Sequence, residues 1–153
     1  MTVQHNRDKQ RGNPAFQISQ LARLIVRYFD RHLAPLRLNV ANLAVVGALR
    51  ERDGLSQKDL TEIGRIGQPA MAQMLERMLK DGLLVRRQDA TDRRRAVFSL
   101  SSSAAEGLPA LEAALEEGNR AVFSVLSEDE LEQLLRLLDK LTQHMRTLDE
   151  RGR

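Results

Sequence analysis

The sequence contains no cysteine among its 153 residues. This absence excludes disulfides, thiolate metal sites and thiol redox sensing, and it fits a reducing compartment. No apolar stretch approaches the roughly 20 residues that a membrane-spanning helix needs. The first ten residues, MTVQHNRDKQ, also lack the apolar segment of a secretory signal. We therefore expect a cytoplasmic protein without a membrane partner.

Patterns typical of catalysis or metal binding are missing as well. The three histidines, His5, His32 and His144, lie far apart and have no acidic partners at ligand spacing. There is no glycine-rich phosphate loop and no nucleophile motif. We therefore expect no enzyme, no metal site and no cofactor.

Charge is unevenly distributed along the chain. The net charge is only +3, but residues 101–153 carry six Lys/Arg against eleven Asp/Glu, which leaves +8 for residues 1–100. A basic front half indicates a polyanionic partner, such as nucleic acid, at one end of the molecule. A chance asymmetry of a solvated surface is the alternative.

Apolar spacing predicts two helices after a polar segment. Residues 1–13 read as a flexible tail. A first helix is expected from about Pro14 to Leu33, ended by Pro35. A second helix is expected from about Asn39 to Arg52, with Asn39 as its N-cap. The residues of this helix expected to face the core are Val40, Leu43, Ala44, Val46 and either Ala48 or Leu49.

A helix-turn-helix is predicted next. Ser56-Gln57-Lys58-Asp59 has the form of a capping box, so a short helix begins after Ser56, with Leu60 and Ile63 facing inward. A glycine-containing turn then leads to a helix from about Gln68 to Asp81. Gly82 stands where a helix-ending glycine is common.

The second of these helices has two distinct faces. Its apolar stripe consists of Met71, Met74, Leu75, Met78 and Leu79. Its polar face consists of Gln68, Ala70, Gln73, Arg77 and Lys80. Methionines at this spacing are more often core residues than a binding surface, so we assign them to packing. The polar face is then left for a partner.

A charged hairpin follows the helix. Leu83-Leu84-Val85 and Ala96-Val97-Phe98 are the predicted strands, and the loop QDATDRRR lies between them. The loop contains three successive arginines, Arg93, Arg94 and Arg95. Their mutual repulsion is unfavourable, and binding to a polyanion would offset it. Asp89 and Asp92 are expected to brace these arginines. An ordinary solvated loop is the alternative.

The C-terminal third predicts two long helices. One is expected over about 104–126, starting or kinking near Pro109, and the other over about 128–148 after a capping box at Ser127–Glu130. The second helix is rich in leucine, and together with the first helix of the chain it has more apolar surface than a monomer should expose. We therefore expect a two-fold dimer that buries this apolar surface.

Residues 89–101, DATDRRRAVFSLS, carry a resemblance to the MarR family of bacterial transcriptional regulators. Asp92 and Arg94 occupy the positions of the family's Asp-x-Arg wing signature, and Leu100-Ser101 stands in place of its Leu-Thr. The stretch QPAMAQMLERMLKDGLLVRR is similar to the recognition helix and first wing strand. Two positions depart from the family: Ala104 replaces a usual glycine, and Gln73 replaces a frequent arginine. The first departure predicts an irregular start of the dimer helix.

The resemblance implies a mainly α fold with a small β-hairpin wing. After the flexible tail over 1–13, which lies outside the resemblance, it implies a helical dimerisation region over 14–36 and 104–150 and a winged helix-turn-helix DNA-binding domain over 37–103. It further implies a homodimer that binds a near-palindromic DNA operator as a repressor and releases it on binding a small aromatic or lipophilic effector. A winged-helix protein that binds another protein instead of DNA is the alternative.

The predicted DNA contacts follow from these expectations. The polar helix lies in the major groove, where glutamine pairs with adenine and alanine touches a thymine methyl, while the wing arginines lie in or beside the minor groove. The predicted DNA-binding residues are Ser56, Gln57, Lys58, Gln68, Ala70, Gln73, Arg77, Arg93, Arg94 and Arg95, with Asp92 bracing the wing. The candidate effector-binding residues, all on the first helix, are Phe16, Arg23, Tyr28 and His32. An aromatic residue and a histidine on such a helix are more often core or rim residues.

Overall fold

The computed structural model describes residues 12–89 and 95–151. The remainder of the predicted tail and the predicted wing-tip residues Asp92, Arg93 and Arg94 therefore lie outside the described residues. The elements in chain order are α1 (Pro14–Leu33), a 3₁₀ turn (Ala34–Leu36), α2 (Val40–Glu51), β1 (Leu55–Ser56), α3 (Gln57–Gly64), α4 (Gln68–Lys80), β2 (Leu84–Gln88), β3 (Ala96–Leu100), α5 (Ser102–Glu106), α6 (Leu108–Phe123) and α7 (Glu128–Arg151). The expected fold class, mainly α with a small wing, is confirmed.

The starts of the first two helices are stabilised by side chains that cap them. Asn13 Oδ1 accepts a hydrogen bond from the amide of Phe16 at 3.2 Å. Asn39 and Asn42 cap each other's backbone amides at 3.1 Å in both directions. Such bonds satisfy helix N–H groups that have no partner within the helix. These two caps place both helix starts where the sequence predicted them.

The sheet has three strands, one more than the sequence indicated. β3 lies in the centre, and β1 and β2 pair with it in antiparallel fashion. Leu55 lies opposite Phe98 and Ser56 opposite Val97. A strand of two residues is too short to show the period-two alternation by which strands are recognised, so β1 was missed. Pairing with β3 places the start of α3 at the edge of the wing.

The core side of α2 differs in register from the prediction. Val46 and Leu49 are buried as expected, but Ala44 is exposed, while Asn42 and Val45 are buried. α2 is apolar on most of its circumference, so periodicity alone did not identify the covered side. Asn42 is tolerated in the core because it is the capping partner described above.

Ile63 was wrongly predicted to face the core. Leu60 is buried, but Ile63 is 53% exposed. At the end of α3 the core side is at the next residue, since a Cβ added to Gly64 would lie 3.3 Å from Cε of Met71. A residue one position earlier is rotated by about 100° around the helix and faces solvent.

The predicted helix over 104–126 is two helices. α5 begins at Ser102, because Ser101 Oγ accepts a hydrogen bond from the amide of Ala104 at 3.1 Å. It ends at Gly107, and α6 starts with Leu108, which places Pro109 in a first turn where proline is tolerated. The expected irregularity at this point is thus present.

The chain separates into two compact units, residues 1–116 and 117–153. In the second unit Ser127 and Glu130 form the predicted capping box, with distances of 2.8 and 3.3 Å. No residue of α7 is buried. The large apolar side chains exposed on it are Leu135, Leu137, Leu138, Leu141, Met145 and Leu148.

Within the described ranges, no single helix is both long enough and apolar enough to cross a membrane. The segments Pro14–Leu36 and Val40–Glu51 meet that criterion only as a pair, and they are bent by 60° at the break between them.

Candidate nucleic-acid interface

Helix α4 separates an apolar face from a polar one. Its buried residues are Met71, Met74, Leu75 and Met78, which confirms that the methionines belong to the core. The side chains predicted to meet DNA are all exposed on the rest of the helix: Gln68, Ala70, Gln73 and Arg77. The face therefore has uncharged side chains at its leading end, and its first cation, Arg77, comes about two and a half turns after Gln68.

The end of α4 is bonded directly to the wing. Gly82 has a φ of +73°, a conformation that favours glycine. The amide of Leu83 donates to the carbonyl of Met78 at 2.9 Å, and that of Gly82 to Leu79 at 3.0 Å, which is a Schellman ending. Ser101 then donates its hydroxyl to the Gly82 carbonyl at 2.7 Å. These bonds set the direction in which β2 leaves the helix.

The starts of α3 and α4 are joined by a hydrogen bond between two of the predicted DNA-binding residues. Nε2 of Gln57 donates to Oε1 of Gln68 at 3.0 Å and lies 3.5 Å from the Gln68 carbonyl. Lys58, next along α3, is exposed. Gln57 thus holds the first turn of α4 as well as lying at the surface predicted to meet phosphate.

The base of the wing is closed by a backbone bond. β2 pairs with β3 up to Gln88 opposite Ala96, and the amide of Asp89 then donates to the carbonyl of Arg95 at 2.9 Å. Arg86 and Arg87 are exposed on β2. The strand predicted from the sequence ended at Val85, so neither arginine was included in the predicted basic surface. The two adjacent arginines, directly after the apolar residues 83–85 and before the loop, were the signal that could have identified them.

Arg95 is paired with a residue that the sequence analysis did not connect with the wing. Its Nη2 lies 2.6 Å from Oδ2 of Asp59 and 3.0 Å from Oγ of Ser56. The prediction assigned bracing of the wing to Asp89 and Asp92. Asp59 is recognisable in the sequence only as part of a capping box, since its separation from Arg95 is 36 positions.

The same hydrogen bonds stabilise the charge of Asp59. The Ser56 hydroxyl donates to Oδ2 at 2.6 Å and the Ser56 amide at 2.9 Å. These two bonds, followed by the nearby Arg95 guanidinium, hold the pKa of the Asp59 carboxyl below its ordinary value of 3.8. Asp59 is therefore a carboxylate at any physiological pH.

The candidate effector residues lie on α1. The rings of Tyr28 and His32 are stacked, with centroids 5.8 Å apart and an interplanar angle of 14°, and Tyr28 meets Phe29 edge to face at 5.6 Å. Phe16 lies about 18 Å from Tyr28 along the helix axis. Within the part of the chain that the structure describes, none of these four residues lines the cavity beside the end of α4 or the cavity beside Arg95.

A cavity of about 250 Å³ lies elsewhere, beside the end of α4. Its wall is mostly apolar and includes Leu36, Val46, Leu100, Leu108 and Leu111. Arg37 and Asp81 contribute polar groups, and Nη1 of Arg37 donates to the Asp81 carbonyl at 3.3 Å. The cavity therefore borders the residue that caps the C-terminus of α4.

No group of three His, Asp or Glu residues suited to a metal ion occurs in the described ranges 12–89 and 95–151.

The sequence and the fold are both similar to those of known proteins. The MarR family model matches residues 38–95, from just before α2 to the wing. A probable transcriptional regulator from Pseudomonas aeruginosa is 28% identical, with a TM-score of 0.77 over 86% of this chain and 98% of that one. A mutant of E. coli MarR complexed with operator DNA is 21% identical, with a TM-score of 0.72 over 82% of this chain and 90% of that one. The transcriptional repressor CouR, bound to a 23-mer DNA duplex, is 21% identical, with a TM-score of 0.76 over 85% and 92%.

The family match covers the helix-turn-helix and the wing as far as Arg95, just before β3, and the fold is similar to MarR structures over more than four-fifths of the chain. The sequence and the fold thus agree: residues 38–95 match the MarR family of transcriptional regulators, and the chain has the fold of MarR structures.

Proposed function

We propose that this protein is a dimeric, sequence-specific DNA-binding transcriptional regulator, a repressor that a small effector releases from its operator. The observation that carries the proposal is α4, whose buried methionine face leaves Gln68, Ala70, Gln73 and Arg77 exposed together on a helix flanked by a basic wing. A helix of this kind fits a major groove. The complexes of the MarR mutant and of CouR with DNA support the same use of the fold.

The wing is proposed to supply much of the affinity. Arg93 and Arg94, at the tip, lie outside the described residues, and Arg86 and Arg87 add exposed positive charge on β2. Arginine is attracted to a narrow minor groove, where the negative potential is strongest. Lys58 and Gln57, at the start of α3, are proposed to contact phosphate, helped by the positive end of that helix.

Dimerisation is proposed to use the exposed apolar side chains of α1 and α7. On α1, the exposed apolar residues are Ile18, Leu21, Leu24 and Val26. On α7, Leu138, Leu141, Met145 and Leu148 follow one another at spacings of three and four, which places them on one stripe. Apolar surface of this extent is typical of an interface. A two-fold dimer would present two α4 helices to the half-sites of a near-palindrome.

The effector is proposed to be small and lipophilic. The 250 Å³ cavity beside Arg37 and Asp81 offers it an apolar wall and contact with the end of α4. Tyr28 and His32 stay the alternative site proposed from sequence. Ala104→Leu, which narrows the cavity, separates the two sites in an assay of duplex release by small aromatic and aliphatic acids and alcohols. Loss of release in this variant supports the cavity, whereas unchanged release supports α1.

Selection of bound duplexes from a random DNA library by the purified protein tests the function. We expect an enriched palindrome with half-sites about one helical turn apart. A protein-binding winged helix would enrich no sequence and would show no salt-dependent affinity for any duplex. That result would overturn the proposal.

A further inference from the structure

We infer that Arg95 is a positioning residue, which fixes the base of the wing to the start of α3 through Asp59 and makes no phosphate contact of its own. This inference rests on the proposed DNA-binding function and changes the role that the sequence analysis gave to Arg95 and Ser56. The residues Ser56, Asp59 and Arg95 are called the wing clamp below.

The acceptor in the wing clamp, the Asp59 carboxylate, is held in place by bonds that do not involve Arg95. Three donors converge on Oδ2 of Asp59: the Ser56 amide at 2.9 Å, the Ser56 hydroxyl at 2.6 Å and Nη2 of Arg95 at 2.6 Å. The first two come from Ser56, the N-cap of α3, and hold the carboxylate whether or not Arg95 is present. Pairing therefore costs the conformational entropy of one side chain only, and an exposed pair gains most when its geometry is fixed in this way.

Ser56 has no hydrogen-bonding capacity left for a phosphate. Its hydroxyl donates to Asp59 Oδ2 at 2.6 Å and accepts from the Asp59 amide at 3.3 Å and from Arg95 at 3.0 Å. A hydroxyl has one donor and two acceptor positions, and all three are occupied. Ser56 is also only 6% exposed.

The clamp continues the pairing of β1 with β3. Ser56 lies opposite Val97, and Arg95 precedes Val97 by two positions. The carbonyl of Arg95 accepts the amide of Asp89, the last bond that closes the wing base. Arg95 therefore joins the helix-turn-helix to the hairpin at the point where its tip begins, and its charge is compensated by a carboxylate that is 24% exposed.

A polar cavity of about 690 Å³ beside the clamp makes this restraint important. Glu62 and Glu76 of the helix-turn-helix line it together with Arg86 and Arg95. Space between the wing and the helices would let the hairpin move if its base were free. Fixing the base reduces the entropy lost when the wing binds DNA.

Operator titrations over a range of salt concentrations test the inference. Arg95→Gln and Asp59→Asn should each weaken binding by about two- to ten-fold, and the double variant should be no worse than either, because both remove one interaction. The salt slope should stay at the wild-type value in all three. Lys58→Ala is the positive control, since loss of one phosphate contact should reduce the slope by about 0.9.

Two outcomes of the titrations would overturn the clamp. One is a reduced salt slope in Arg95→Gln, which is the signature of a phosphate contact. The other is tighter binding by Asp59→Asn, which would mean that Asp59 only masks the charge of Arg95. Arg95→Lys, which keeps a cation within reach of Asp59, should recover part of the lost affinity.

Hydrogen exchange of the free protein gives a second, independent measurement. Both single variants should speed exchange of the Asp89 amide, which bonds to Arg95, while exchange of the buried residues of α4 stays unchanged. Unchanged exchange at Asp89 overturns the clamp even where binding falls. If the wild-type protein binds no duplex, the proposed function fails, and faster exchange at Asp89 would still support the clamp as a structural restraint.

Discussion

Gln57 donates a hydrogen bond from Nε2 to Oε1 of Gln68 at 3.0 Å, across the junction of α3 and α4. Nε2 of Gln57 also lies 3.5 Å from the backbone carbonyl oxygen of Gln68. Both neighbours of this nitrogen are therefore oxygen acceptors, which fits the orientation of the Gln57 side-chain amide. Pairing of glutamine with adenine uses both its oxygen and its nitrogen. Because the oxygen of Gln68 already has a donor, Gln73 is the better placed residue for such a pair.

We predict that Gln73→Ala relaxes specificity at one adenine position in each half-site. The loss should amount to about 1–3 kcal/mol against the preferred base, since one bidentate pair contributes this much discrimination. Competition titrations with operators changed at single positions measure it. Gln68→Ala is the matched control and should lower affinity with a smaller effect on base preference; equal effects of the two variants would contradict the assignment.

Lys58→Ala should weaken binding to all duplexes alike. Lys58 is exposed at the start of α3, and a phosphate contact carries no sequence information. The plot of log affinity against log salt should become flatter by about 0.9. Lys140→Ala removes the same charge from exposed α7 and should leave the slope unchanged. A sequence-dependent effect of Lys58→Ala would place this side chain at a base edge instead.

Arg94→Ala should weaken operator binding by about 1–3 kcal/mol. This arginine belongs to the wing-tip segment outside the described residues, and its prediction rests on the sequence alone. The loss should be larger for operators with an A/T-rich flank, where the minor groove is narrow. Anisotropy titrations with A/T-rich and G/C-rich flanks measure both effects, and unchanged affinity would remove Arg94 from the site.

Leu138→Glu should impair dimerisation. Leu138 lies exposed in the middle of α7 on the stripe with Leu141 and Met145. A charge there should raise the dimer dissociation constant by roughly 30-fold or more, as the loss of an interface hot spot does. Sedimentation equilibrium gives the constant. Ile63→Glu, at an exposed position of α3, is the control and should leave the dimer intact. An undisturbed dimer in Leu138→Glu would exclude this stripe from the dimer interface.

The contribution of Asp59 to stability should depend on pH. Its pKa is lowered in the folded protein, so the stabilising effect is fully present above the unfolded value of 3.8 and is lost as pH falls through the lower folded value. Urea unfolding of the wild type and of Asp59→Asn between pH 6 and pH 2.5 measures it. The wild type should be more stable at pH 6, and the two should converge at the acidic end; a constant difference would contradict the assignment.

Local patterns were sufficient for much of the fold. The caps at Asn39 and Ser56, the glycine at Gly82 and the methionine stripe of α4 act over at most one or two helical turns, so the sequence displays them directly. β1, the start of α5 at Ser102 and the exposed position of Ile63 were not predicted. Each depends on a partner that is distant in sequence or on a segment too short to show a period.

The sequence by itself determined the helix-turn-helix, the basic wing and the MarR resemblance, because each is written in adjacent residues. Only the tertiary structure decided which of those residues contact one another. It joined Gln57 to Gln68 and brought Arg95 to Asp59, since strand pairing between β1 and β3 closes a loop of 36 positions. A cation in a loop and a carboxylate in a capping box have no visible relation until the fold places them 2.6 Å apart.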